Sequence, residues 1–392
     1  MSAFRLDFQD TATAFADRTD AELKEKYRIF RLLNSPFLNA IGTGSAKLAF
    51  SLGLPVEGLI KNTIFEQFCG GETIEECNPT IERLHRSGIG TILDYSIEGK
   101  SLEADFDRTK DEIIRTVERA KDDPAIPFAV FKVTGIAPLG TLERMSAKKK
   151  LDAKSQSKCE HLMARVLEIC EFAYSIRQPI FIDGEETWIQ DAIDRLATDM
   201  MERFNLETPI VYNTVQLYRH DRLQYLRDAR REAKSGGYIL GVKLVRGAYM
   251  EKERERAAAM GYASPIHPDK ESTNRDFNAA LDYCLDHLDE ISFVAGTHNE
   301  KSTQYLVQEM HARGIPANHK HIYFSQLYGM GDNLSYVLSK HGYNVSKYVP
   351  YGPVKDTVPY LIRRAEENTS AAGQVSRELE SIKRELERRR SA

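Results

Sequence analysis

The stretch IVYNTVQLYRHDRLQYLRDARREAKSGGYILGVKLVRGAY, residues 210–249, decides the fold. Each end is a short run rich in Val, Ile, Leu and Tyr, and the charged segment between them is long enough for a helix. Apolar strands joined by a helical crossover are the pattern of parallel strands buried on both faces. The unit recurs along the chain, in TILDYS (91–96), PFAVFKVTG (127–135), PIFIDGE (179–185), IVYNTVQLY (210–218), YILGVKLVRGAY (238–249), ISFVAGTH (291–298), HIYFSQL (321–327) and VSKYVPYG (345–352). Eight such units predict an α/β fold, a (β/α)8 TIM-type barrel, whose usual length is about 250 residues before insertions. A doubly wound sheet is disfavoured by the count of eight and by the absence of G-x-G-x-x-G after any strand.

The repeat sets the expected boundaries. Residues 1–88 read as an N-terminal helical extension, with TDAELKEKYRIFRLLNS (19–35), residues 42–71 and NPTIERLHRSG (78–88) as amphipathic segments punctuated by Gly and Pro. Residues 89–370 are the expected barrel and 371–392 a charged C-terminal helix. In that helix Leu379, Ile382 and Leu386 form a narrow apolar stripe, which suits packing on the barrel's outside or, through the terminal arginines, a membrane surface.

Composition narrows the class of function. The 392 residues are 42% hydrophobic and 29% charged, with a net charge of -4, so nothing in the overall balance favours nucleic acid. Five scattered cysteines without a C-x-x-C pair point to reduced thiols and away from structural zinc. His319 and His321 lack a third ligand nearby in sequence, so they do not read as a metal site. No targeting segment or membrane span is visible, and the expected location is cytoplasmic, with at most peripheral contact on the inner face of the cell membrane.

A barrel of this kind carries its chemistry at the C-terminal ends of its strands. The polar residues there are Asp94, Lys132, Asp183, Gln216, Lys243, Arg246, His298, Asn299, Gln326 and Tyr348. Lys132 stands within an apolar run, where a charge is costly unless paired or functional, and Asp183 is the partner to expect. Lys132 reads as a cation for an anionic substrate, as a Schiff-base nucleophile, or as half of a structural ion pair. Gly247 permits close backbone approach to a bulky ligand, while Gln216, Lys243 and the Thr297-His298-Asn299 cluster offer donors and acceptors to an extended planar one.

Beyond the eighth strand, DTVPYLIRRAEEN reads as a helix with Asp356 as N-cap and Pro359 in the first turn. Tyr360, Arg363, Arg364 and Glu367 then share one face. Adjacent arginines project at about 100° to each other, and two guanidinium forks can grip one carboxylate from two directions.

The ordered motifs FKVTG, IDGEE, GVKLVRGAY, THNE, FSQLYGMGD, SKYVPYG and YLIRRAEENTS resemble the proline dehydrogenase family over roughly residues 90–370, in its monofunctional, eukaryotic-type branch. The resemblance implies a barrel holding non-covalent FAD that oxidises L-proline to Δ1-pyrroline-5-carboxylate and passes electrons to a membrane quinone. It implies that Arg363 and Arg364, assisted by Lys132, hold the proline carboxylate, that Tyr348, Tyr360 and Leu327 wall the ring, and that Asp183 orients the cations. The flavin contacts it implies are Gln216, Lys243, Val245, Gly247, Ala248, Tyr249, Thr273, Thr297, His298, Asn299 and Glu367. Glu98 resembles a gating glutamate. Lys243 departs from the arginine of bifunctional relatives, and a lysine cannot supply a bidentate fork. Tyr348 favours proline over 4-hydroxyproline, because a phenol at the C4 side of the ring leaves no room for an added hydroxyl.

Rival readings on the same fold are a hydroxyproline dehydrogenase, a Schiff-base aldolase or lyase using Lys132, a carboxylate-binding barrel without catalysis, and a flavin barrel resembling methylenetetrahydrofolate reductase. The last gives no account of the arginine pair with Tyr348.

Overall fold

The structure, a computed structural model, describes residues 4–33, 64–96, 102–148, 152–357, 360–361 and 374–391. Eight parallel strands close into a barrel in sequence order: β1 (Ile89–Tyr95), β2 (Phe128–Phe131), β3 (Ile180–Ile182), β4 (Val211–Gln216), β5 (Leu240–Val245), β6 (Ile291–Gly296), β7 (Ile322–Leu327) and β8 (Val345–Tyr351). All eight expected strands are present, each followed by a helix or helical turn. β-branched and aromatic side chains fill both faces of these strands, as parallel pairing requires.

By internal packing the chain divides into two compact units. The first comprises residues 1–5 and 99–325 and holds β2 to β6 with β7 as far as Ser325. Phe128 anchors an aromatic cluster there, stacked 4.5 Å from Phe181 and edge-on to Tyr212 at 5.5 Å and Tyr323 at 4.9 Å. The register of this unit fixes the polar ends: Phe131 pairs with Ile182, Ile182 with Asn213, and Thr214 with Lys243. One residue further along β2 and β3, Lys132 and Asp183 therefore fall in the same row as Thr214 and Lys243.

The second unit comprises residues 6–98 and 326–392. β1 and β8 pair from Ile89 with Val345 to Tyr95 with Tyr351. Its core joins Phe15, Leu23 and Phe30 from the N-terminal region to Phe68, Met330, Tyr360 and Ile382. The C-terminal helix Gln374–Ser391 seats Ile382 in that core, with Leu379 and Leu386 packed against it. Its terminal charges are partly committed: Arg389 binds Glu385 at 2.7 Å, Asp20 at 2.9 Å and the carbonyl of Phe15 at 2.8 Å.

Two local expectations change. The helical turn beyond β8 begins at residue 354 rather than after Asp356, and the backbone N–H groups of Asp356 and Thr357 donate to the Pro353 carbonyl at 2.9 and 3.1 Å. Pro353 occupies the entry, its locked φ suiting a helix start, and Asp356 lies inside the turn. Lys132 lies one residue past the end of β2, in extended backbone leading into the short turn Val133–Gly135. Among the described residues no helix is long and apolar enough to cross a membrane.

Candidate active site

In the first unit the ends of β2 to β6 carry the polar chemistry. Asp183, just past β3, donates its backbone N–H to the Phe131 carbonyl at 3.0 Å, which holds its side chain level with Lys132. Its carboxylate lies 3.7 Å from the Lys132 ammonium and accepts a short hydrogen bond from Lys243. One carboxylate thus serves two cations, both of which would be costly to bury alone. Lys243 also stands 5.2 Å from the Phe181 ring centroid.

Glu185, two residues on, was not singled out by the sequence beyond its place in IDGEE. Fully enclosed, it accepts the backbone N–H of Thr134 at 3.0 Å and a short bond from the Thr134 hydroxyl. Burial pushes its carboxyl up to about 7, against the downward pull of the Thr134 bonds and Lys132. The Glu185 carbonyl accepts Gln216 Nε2 at 3.0 Å, at the end of β4. Gln216 Oε1 is buried and has no donor among the described residues. A buried acceptor of that kind calls for a partner, which a bound ligand could supply.

Beyond β5, Arg246 is a half-buried cation whose acceptors among the described residues are neutral: Asn274 Oδ1 at 3.0 Å, Thr297 Oγ1 at 2.5 Å and Ser302 Oγ at 2.8 Å. Among the described residues no carboxylate pairs with it, and burial pulls its guanidinium down to about 10. It lies 4.3 Å from the Phe277 ring centroid. A desolvated guanidinium with an uncompensated charge is suited to an anionic group such as phosphate. Asn274 and Ser302 were invisible to sequence reading, because each sits in a helix whose pattern marks only its apolar face.

The neighbouring backbone leaves no room for a side chain at Gly247. Gly247 has φ of 135°, and a Cβ there would stand 2.4 Å from the Tyr218 ring. Val245 ends β5, Ala248 follows Gly247, and Tyr249 precedes the helix Met250–Met260. Thr297 Oγ1, besides meeting Arg246, accepts the Asn299 N–H at 3.0 Å, and Asn299 caps the helix Glu300–Ala312. Asn299 Nδ2 reaches Asn274 Oδ1 at 3.4 Å, His298 lies between Thr297 and Asn299, and Thr273 is buried in the helix Lys270–Leu285. The structure therefore brings Lys132, Asp183 and Lys243 together, and separately Arg246, Thr297 and Asn299.

In the second unit Leu327 ends β7, Tyr348 is the fourth residue of β8, and Tyr360 is buried in the core with Phe30 and Phe68. The Tyr348 carbonyl accepts the Tyr328 N–H at 2.8 Å. Arg363, Arg364, Glu367 and Glu98 lie outside the described residues, as does Pro359. The five cysteines are free and buried.

A family model described as Proline dehydrogenase matches residues 77–377. The chain is 35% identical over 334 residues to the carbapenem antibiotics biosynthesis protein CarD of Pectobacterium carotovorum subsp. carotovorum, covering 85% of this chain and 86% of that protein. It is 30% identical over 426 residues to Proline dehydrogenase 1, mitochondrial, of Dictyostelium discoideum, covering 97% and 74%. Among solved structures, proline utilization A (PutA) from Bdellovibrio bacteriovorus inactivated by N-propargylglycine aligns with a TM-score of 0.72 at 18% identity, over 93% of this chain. This chain spans 38% of that longer protein, and the likeness shows the barrel fold. With the matched family model covering β1 to β8 and relatives of at least 30% identity along nearly its whole length, the chain belongs to the proline dehydrogenase family.

Proposed function

We propose that this chain oxidises L-proline to Δ1-pyrroline-5-carboxylate with non-covalent FAD and passes the electrons to a membrane quinone. The observation that carries the cofactor reading is the pair of unmet demands at adjacent strand ends. Among the described residues Gln216 Oε1 lacks a donor and Arg246 lacks an anion. A bound flavin dinucleotide would have a ring N–H for an acceptor such as the first and phosphates for a cation such as the second. Gly247 leaves the approach free of a side chain. FAD supplies the two-electron acceptor for the hydride that leaves the proline ring.

The chain's own residues bind and orient. Arg363, Arg364 and Lys132 hold the carboxylate, and Leu327, Tyr348 and Tyr360 wall the ring, so that binding energy is spent on alignment. Asp183 keeps Lys132 and Lys243 in place. The cations disfavour a second positive charge on the ring nitrogen, so the amine is bound neutral and its proton goes to solvent. No side chain is assigned as general base. Val245, Ala248, Tyr249, Thr273, Thr297, His298, Asn299 and Glu367 complete the flavin cradle in this reading.

The test is a visible spectrum before and after anaerobic addition of L-proline. A flavin spectrum that bleaches is expected, and colourless protein that FAD cannot reconstitute would overturn the reading. Lys132 as a Schiff-base nucleophile is the competing use of the same residue, but an ammonium facing the Asp183 carboxylate is better placed to bind an anion than to attack a carbonyl. Borohydride trapping with substrate separates the two. Activity with a quinone compared with a soluble acceptor tests the electron partner.

A further inference from the structure

A group of buried charges that the mechanism leaves unused lies in the second unit. Lys347 on β8 is 1% exposed, Asp332 3%, Lys26 4% and Glu378 5%. Lys347 Nζ lies 2.8 Å from one Asp332 oxygen, and Lys26 Nζ lies 2.5 Å from the other. Glu378 of the C-terminal helix accepts the Gly331 N–H at 2.7 Å. Two cations and two carboxylates are thus enclosed together, with Lys26 and Lys347 both acting electrostatically on Glu378.

What these groups hold is the turn that follows Leu327. Lys347 donates to the carbonyl of Met330 at 2.7 Å and reaches that of Leu327 at 3.5 Å. Gln67 Nε2 donates to the Gly329 carbonyl at 2.9 Å, and the Tyr328 N–H donates to Tyr348. Gly329, with φ of 80°, fits only without a side chain, since a Cβ would stand 2.2 Å from the Gln67 carbonyl oxygen. Residues 327–332 are therefore fastened by groups from the helix Asp20–Leu33, which carries Lys26, the segment near Gln67, β8 and the C-terminal helix. Charges enclosed this way are commonly no more stabilising than apolar residues of the same volume. Their use is then more naturally sought in placement than in stability.

We infer that Lys347, Asp332 and Glu378 are positioning residues for proline binding, acting through the turn 327–332 on Leu327 and on its neighbour Tyr348. This rests on the reading above in which Leu327 and Tyr348 wall the substrate ring. It gives the helices Asp20–Leu33 and Gln374–Ser391, which contribute none of the other proposed contacts in this wall, a part in setting its shape. Lys26 locks Asp332 from one side, and Glu378 locks Gly331 from the other.

The experiment compares Lys347→Met with the double variant Lys347→Met/Asp332→Leu, using L-proline and trans-4-hydroxy-L-proline as substrates. The single variant strands Asp332 beside Lys26 and removes the donor to Met330, so melting temperature should fall and KM for proline rise about tenfold with kcat within about twofold. The double variant leaves one cation and one carboxylate, Lys26 and Glu378. Its melting temperature should recover while KM stays raised and amide exchange in 327–332 stays fast. A purely structural cluster predicts that KM recovers with stability, and that result would overturn the inference. Glu378→Gln, which keeps an acceptor for Gly331, should retain the wild-type KM where Glu378→Ala raises it; equal KM for both overturns the part assigned to Glu378. Wild-type protein that does not oxidise proline defeats the functional reading instead. Wild-type protein that does, beside a folded double variant of unchanged KM, defeats the inference alone.

Discussion

Gly247 lies against Tyr218 so closely that a methyl group there would stand 2.4 Å from two of its ring carbons. Tyr218 is buried, and the Gly247 φ of 135° is one that a side chain rarely adopts. Gly247→Ala should therefore add overpacking of about 1–3 kcal/mol to backbone strain of about 1–3 kcal/mol. A lower melting temperature together with loss of bound flavin on gel filtration is the expected result.

Asp183→Asn leaves Lys132 and Lys243 facing a neutral amide. Losing a charge-assisted bond costs about 1.5–3 kcal/mol, which corresponds to a fall in kcat/KM of roughly 10- to 150-fold. Steady-state kinetics with L-proline check this, and Glu at position 183 should restore little, because the longer side chain moves its carboxylate off the row shared with Lys243.

Tyr348→Ser should lower proline turnover and raise the ratio of hydroxyproline to proline kcat/KM. About tenfold corresponds to roughly 1.4 kcal/mol of differential transition-state binding. An unmoved ratio would show that Tyr348 does not select the substrate.

Glu185 should make stability depend on pH. Its carboxyl is raised from 4.5 to about 7, so across that window the folded protein keeps a proton that the unfolded chain releases. Stability from this group accordingly falls as pH rises from 4.5 to 7 and is level above it, a loss of up to about 3 kcal/mol. Glu185→Gln removes the titration. Its melting temperature relative to wild type should rise between pH 5 and pH 8.

Deleting residues 376–392 removes Ile382 from the second unit's core, worth about 1.5–3 kcal/mol by burial alone, and the Arg389 bonds to Asp20 and Phe15. Activity should fall alike with soluble and quinone acceptors. Loss confined to the quinone assay would instead place the tail's function at the membrane.

The eight strands, their parallel character and the residue type at each strand end are legible along the chain, because burial on both faces leaves a local apolar signature. The sequence also marked Asp183 as the partner of Lys132. It could not show that Lys243 shares that carboxylate, since the pairing depends on the register of β3, β4 and β5 rather than on spacing along the chain. Asp356 looked like a helix cap because Asp before an apolar run is the usual sign, but the turn had already begun behind Pro353. The union of Lys26, Asp332, Lys347 and Glu378 lay furthest from view. Lys26 and Asp332 are 306 positions apart, and only tertiary packing, by excluding water from both, made one the necessary counter-charge of the other.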